Sequence, residues 1–143
     1  MVEVVNSHRK LRFPMSETRT AVHGVIRGER KRVKGITVVF VNSAFIRRMN
    51  QRFLDHDYIT DVISFPLDQG AALEAEIYIN LDRARSQAKE YRVSYRHEVK
   101  RLLIHGTLHL VGYDDDSRKK RERMRKREDY YLARLTKRSR AHA

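Results

Sequence analysis

The chain has no cysteine in 143 residues. That excludes a disulfide framework, a Cys-ligated zinc site and a cysteine nucleophile. A chain of this length still supports one domain with its own core, without disulfides or structural metal. Long apolar runs are missing too. Nothing approaches the ~18 apolar residues of a membrane span. Met1–Lys10 lacks the ~7–15-residue apolar stretch of a signal peptide, so a soluble cytoplasmic protein with no membrane role is expected. Acidic residues are scarce beside basic ones, 18 against 31, which leaves a net charge of +13 and a pI near 10.4. That balance favours nucleic acid or another polyanion; an anionic membrane surface gives the same signal, and a solvated basic surface is the plainer alternative. Exposed aromatic platforms are few, Tyr113, Tyr130 and Tyr131 aside, so base-specific readout is not evident.

One apolar stretch carries ionisable groups: His105-Gly106-Thr107-Leu108-His109-Leu110-Val111-Gly112-Tyr113-Asp114-Asp115. Positions i and i+4 of a helix share a face about one turn apart, so His105 and His109 could bind one metal ion from a single rigid element. Gly112 is the usual residue type just past a helix end. A reversal there swings Tyr113, Asp114 and Asp115 back toward the rings. The pattern reads as His-x3-His-x5-Asp, and catalytic zinc keeps three protein ligands with a fourth position for water. At ~100° per residue, Glu98, Arg101, His105 and His109 form one polar stripe. Val99, Leu103 and Leu110 form a second face, and Ile104, Leu108 and Val111 a third. Apolar groups on both sides of the stripe predict a central, buried helix over Arg96–Val111, whose ionisable groups need partners. The plainer reading of such a pair is two surface or hydrogen-bonded core histidines.

The stretch is similar to the signature His-Gly-x-Leu-His-Leu-x-Gly-Tyr-Asp-His of the YbeY family of endoribonucleases. It departs at the last place, where Asp115 stands for the family's usual third histidine. Asn50–Pro66 resembles the family's other hallmark, Asn-x-x-Tyr/Phe-Arg-x-x-Asp-x-x-Thr-Asp-Val-Leu-Ser-Phe-Pro. The family's arginine follows the aromatic residue, whereas Arg52 precedes Phe53. Counting back from Thr60-Asp61 puts Asp57 in the acidic place and Leu54 or Phe53 near the arginine's, so Arg52 is the nearest candidate. Leu73-Glu74-Ala75-Glu76-Ile77 answers the family's Leu-Gly-Asp-Ile, with Glu76 in the acidic place and Ala75 for the glycine. The resemblance covers roughly Val2 to Leu135.

That resemblance implies a metal-dependent, single-strand-specific endoribonuclease acting in ribosomal RNA maturation, notably at the small-subunit RNA 3′ end, and in ribosome quality control. The implied partners are ribosomal RNA and the small ribosomal subunit or its proteins. One zinc ion per chain would sit on His105, His109 and Asp115, with Asp114 and Asp116 competing for the third place. An aspartate there makes the ion a weaker Lewis acid than a third histidine would, and it admits oxygen-preferring metals such as Mn2+. Arg52 would clamp a phosphate. Glu98, two turns before His105, would orient a ligand or water. Their plain alternatives are an exposed helix-end arginine and a glutamate paired with Arg101 or with the helix N-terminus. His8, His23, His56, His97 and His142 lack a partner at metal spacing and read as surface groups.

Along the chain, Val2–Asn6 predicts a strand, and Pro14, Ser16 and Glu17 start a helix running to about Gly28. Glu29–Lys34 reads as a solvated basic connector. Ile36–Val41 is a continuous apolar run, as in a strand buried on both faces. Asn42 or Ser43 caps a helix over Ala44–Arg52. Val62–Phe65 is a strand, Asp68-Gln69-Gly70 a hairpin turn, and Glu76–Asn80 an alternating strand. Asn80 or Asp82 caps a helix through about Tyr91, and Ser94 caps the central one. Asp116 or Ser117 begins a last, basic helix with a partial stripe of Met124, Arg127/Glu128, Tyr131, Leu132 and Leu135. The fold expected is α+β: a small mixed four-stranded sheet covered by helices, zincin-like, with the metal site on the central buried helix. Strand–helix–strand at the start favours a parallel pair, and the hairpin an antiparallel one. Residues 1–136 read as one domain and 137–143 as a basic, disordered tail.

Two other functions compete. A zinc metallopeptidase uses His-Glu-x-x-His, but Gly106 stands where that general base belongs. A ribosome-assembly or RNA-binding factor, with a structural metal or none, would hold RNA through its basic residues alone.

Overall fold

The computed structural model describes residues 1–53, 59–68 and 70–142, with side chains as far as Thr136. The elements run β1 (Val2–Asn6), α1 (Met15–Gly28), β2 (Val33–Val41), α2 (Ser43–Phe53), β3 (Val62–Asp68), β4 (Leu73–Asn80), α3 (Leu81–Tyr91), α4 (Tyr95–Leu110) and α5 (Arg118–His142). The sheet order is β1-β2-β4-β3. β1 pairs parallel with β2, and β2 parallel with β4. β3 returns antiparallel along β4. The α+β class, the parallel first pair and the hairpin are as expected. Pro66 lies on the edge strand β3, where a missing N–H is tolerated.

Local capping set most helix starts. Asn42 Oδ1 accepts from the Phe45 N–H, Asn80 Oδ1 from Arg83, and Ser94 Oγ from His97. The strands outrun their sequence signals because pairing extends them. Val33 pairs with Leu73 across a register shift, and β3 continues past Phe65 to Asp68. The backbone of α5 is helical to His142, where the sequence reads as an unstructured tail from 137. Lys, Arg and Ala are good helix formers even without an apolar stripe.

Two sheet faces are covered. Ile36, Val38, Phe40, Ala75, Ile77 and Ile79 pack under α1 and α4, and Val41 and Ile63 pack under Ile46 and Met49 of α2. α4 lies at the centre, buried as predicted: Val99, Leu103, Ile104 and Leu108 are each 0% exposed, and each such side chain is worth about 1.5–3 kcal/mol of burial. α5 closes over α4 through Met124, Tyr131 and Leu132. Gly106 sets how closely α4 approaches the sheet. A Cβ there would lie 3.0 Å from Ile77 and 3.1 Å from both Ser64 and Val62, and Ser64 Oγ donates to the Gly106 carbonyl at 2.9 Å. Among the described residues, no helix is long and apolar enough to cross a membrane.

Candidate metal centre

α4 carries His105 and His109 on one face, their ring centroids 5.3 Å apart. The helix ends in a glycine turn. Gly112 adopts φ +107°, which an L side chain rarely tolerates. The Gly112 N–H donates to the His109 carbonyl and the Tyr113 N–H to the Leu108 carbonyl, the paired closure of a Schellman cap. The chain then turns back so that Asp115 Oδ1 lies 3.5 Å from His109 Nε2 and Oδ2 lies 3.6 Å from His105 Nε2. One donor atom from each of the three residues falls within 4.8 Å of the others. A four-coordinate ion bonded at about 2.0–2.2 Å needs its ligands slightly over 3 Å apart, so this donor set fits a divalent metal. Of the competing carboxylates, Asp116 pairs with Lys120 at 3.1 Å, and Asp114 is exposed with no bond to either ring.

A residue that sequence reasoning missed stands behind His105. Glu128 Oε2 lies 2.8 Å from His105 Nδ1, and the Glu128 side chain is only 9% exposed. An ionised carboxylate accepts only, so Nδ1 carries the hydrogen and the Nε2 lone pair faces Asp115. Burial opposes the charged ring, but Glu128 outweighs it and holds the His105 pKa above its ordinary value. Arg101 bonds the other Glu128 oxygen at 2.8 Å and reaches Asp129 at 2.9 Å. The sign in the sequence was an acid at position i+4 from Met124, inside the apolar stripe of α5.

Glu98 and Arg52 are placed differently from the triad. Glu98 is 2% exposed and accepts from Gln87 Nε2 at 2.9 Å rather than contacting a histidine. Burial raises its pKa above the ordinary carboxylate value. Glu98 lines the same cavity as His105 and Asp115, a space of about 590 Å3 that also takes in Asp61. Arg52 is exposed at the end of α2, its guanidinium 5.5 Å from the Phe53 ring centre. It is outside that cavity. Asp57 and Leu54, the other places in the Asn50–Pro66 comparison, lie outside the described residues, as does His56.

A second polar cluster fixes the turn that delivers Asp115. Glu29, expected in a solvated connector, is 11% exposed. It accepts from Tyr113 at 2.8 Å, from Arg127 at 2.7 Å and from Tyr131. This ties the end of α1 to the Gly112 turn and to α5. His8, expected at the surface, is also buried. Its Nδ1 accepts from the Lys10 and Leu11 N–H groups, so Nε2 donates to Asp82 at 2.8 Å. That partner lies 74 residues away in sequence, which hides it from local reading. His23 and His97 are half-buried.

Fold and donor set together define a class: an α+β protein with a candidate hydrolytic metal centre on its central helix. Comparison with known proteins identifies the family. The chain belongs to the family described as Endoribonuclease YbeY, whose model matches residues 3–136. It is 38% identical over 132 residues to the Endoribonuclease YbeY of Chloroherpeton thalassium, covering 92% of this chain and 94% of that protein. It is 43% identical over 111 residues to that of Chlorobaculum tepidum, covering 78% and 81%. A Thermotoga maritima protein of known solution structure shares the fold, with a TM-score of 0.70 at 24% identity over 99% of this chain and 93% of that one.

Proposed function

We propose that this protein is a metal-dependent endoribonuclease that cuts single-stranded RNA in ribosomal RNA maturation, at the small-subunit RNA 3′ end, and in ribosome quality control. Its partners on this reading are ribosomal RNA and the small ribosomal subunit or its proteins, met in the cytoplasm. Residues 1–136 form the hydrolase domain. The observation that carries the proposal is the convergence of His105, His109 and Asp115 within metal-binding distance in a chain of the YbeY family. These three residues would hold one zinc ion, with Mn2+ as the alternative that an oxygen ligand admits.

When bound, the ion supplies a water of lowered pKa and neutralises charge on phosphoryl oxygens. The chain's own residues do the rest. Glu128 orients the His105 ring and keeps its Nε2 directed at the site. Gly112 and the Glu29 cluster hold Asp115 in place. Arg121 and Arg125 of α5 line the cavity beside Asp115 and attract the RNA backbone. In this proposal the phosphate-clamping role read for Arg52 passes to them, because Arg52 stands outside the cavity. Glu98 lines the substrate cavity rather than bonding a ligand. The peptidase alternative is disfavoured by packing as well as by chemistry: a Cβ at position 106 would lie 3.0–3.1 Å from Ile77, Ser64 and Val62, so a glutamate there would have to push the sheet away from α4.

The test separates a nuclease from an RNA-binding factor. His105→Ala and His109→Ala should keep RNA affinity and abolish cleavage. Cleavage undiminished in both variants would take the chemistry away from this site, and a wild type that binds RNA but cuts none with any divalent metal would leave the binding-factor reading.

A further inference from the structure

The cavity has two ends of opposite character. At the triad end, His105 and Asp115 face Arg121 and Arg125. Arg125 makes no ion pair or hydrogen bond among the described residues, and Arg121 has only a long contact, 3.4 Å, to the Asp115 carbonyl. Toward Glu98 the lining adds Gln87, Tyr91, Val93, His97 and Leu102, together with Arg101 and Asp129, which pair with each other. Glu98 and His105 are seven residues apart on one helical stripe, about 10.5 Å along the axis. That is roughly the reach of one nucleotide from its phosphate to the far edge of its base.

Arg101, which also lines the cavity, is already paired with Glu128 and Asp129, so it is not free to hold a phosphate. Glu98 accepts one hydrogen bond, from Gln87 to Oε2. No buried side-chain oxygen or nitrogen among the described residues lacks a partner, so the unbonded Oε1 of Glu98 opens onto the cavity it lines. An acceptor oxygen at the floor of a partly apolar recess suits an uncharged group that donates a hydrogen bond. Tyr91 is 56% exposed, and it lines the cavity together with the half-buried His97. Unpaired bases are recognised in this way, by stacking on aromatic rings and hydrogen bonding at their edges.

We propose that the far half of this cavity is a nucleobase subsite, which seats one unpaired base beside the scissile phosphate, stacks it on Tyr91 and His97, and reads its edge with Gln87 and Glu98. This rests on the endoribonuclease reading. It gives that reading a source of single-strand selectivity that the sequence does not reveal, because a base held in a duplex cannot enter the recess. The free Glu98 oxygen accepts from an exocyclic amino group, as carboxylates do from cytosine N4. The subsite therefore favours adenine and cytosine over uracil.

The test uses the metal-free full chain in chelator, titrated with 5′-AMP, 5′-CMP and 5′-UMP and followed by NMR. The amide and side-chain signals of Gln87, Tyr91 and His97 should shift with AMP and CMP, and about tenfold more weakly with UMP. Tyr91→Ala, an exposed position that leaves the core intact, should weaken AMP binding about tenfold. Glu98→Gln should narrow the gap between CMP and UMP. Equal affinity for the three nucleotides, or Tyr91→Ala binding AMP like wild type, overturns the subsite. A wild type that shows these shifts but cuts no RNA with any divalent metal would sink the nuclease reading while the subsite stands. Cleavage with no nucleotide-induced shift at these residues would do the reverse.

Discussion

His105 is pulled two ways. Burial disfavours its charged form, Glu128 at 2.8 Å favours it, and the carboxylate wins. The same contact that raises the proton affinity of the ring makes its free nitrogen a better donor to a metal, since an acid behind a ligating imidazole fixes its tautomer and raises its basicity. Glu128→Ala should lower metal affinity about 10–100-fold, and Glu128→Gln by less, in a competition titration against a coloured chelator. Unchanged affinity in Glu128→Ala would remove Glu128 from the site. That His105, His109 and Asp115 come together was legible in the sequence, because all three belong to one short stretch closed by Gly112. Glu128 was not, because its partnership depends on how α5 crosses α4, 23 residues away. For the same reason the bonds of Glu29 and His8 could not be read locally.

At the scale of elements, the helix starts of α2, α3 and α4 were readable from Asn42, Asn80 and Ser94, whose caps are local hydrogen bonds. Strand lengths were less so, because Val33 and Leu73 are strand residues only through each other. The packing of α4 on the sheet rests on Gly106. Replacing it with alanine puts a Cβ at 3.0–3.1 Å from three side chains on β3 and β4. Overpacking of this kind costs about 1–3 kcal/mol. Gly106→Ala should therefore unfold at lower urea concentration than wild type and bind metal more weakly, as α4 shifts away from the sheet. A midpoint equal to wild type would mean that the approach is looser than described.

At the scale of the molecule, two acids, Glu29 partly and Glu98 fully buried, make opposite contributions to stability against pH. Burial alone would raise the Glu29 pKa, but hydrogen bonds from Tyr131, Tyr113 and Arg127 lower it below 4.5. Its contribution is present above the ordinary carboxylate value and is lost as pH falls through the depressed one. Glu98, raised by burial, contributes below the ordinary value and loses that contribution as pH rises through the elevated one. Glu29→Gln should cost about 1–3 kcal/mol near neutrality, and the difference from wild type should shrink as pH drops below about 4.5. Urea unfolding across pH measures this; a gap that stays constant into acid would contradict the Glu29 assignment.

The overall charge of +13 was the most legible large-scale property. It pointed to a polyanion without saying how one would be cut. The proposed function gives the cutting to three side chains on α4 and the turn that follows it. Metal content and cleavage of single-stranded RNA, measured together on wild type and Asp115→Ala, test that assignment most directly. Wild type should hold about one divalent ion per chain and cut in its presence, and Asp115→Ala should lose both properties while remaining folded. A wild type with neither stoichiometric metal nor metal-dependent cleavage, or an Asp115→Ala protein that keeps both, would contradict it.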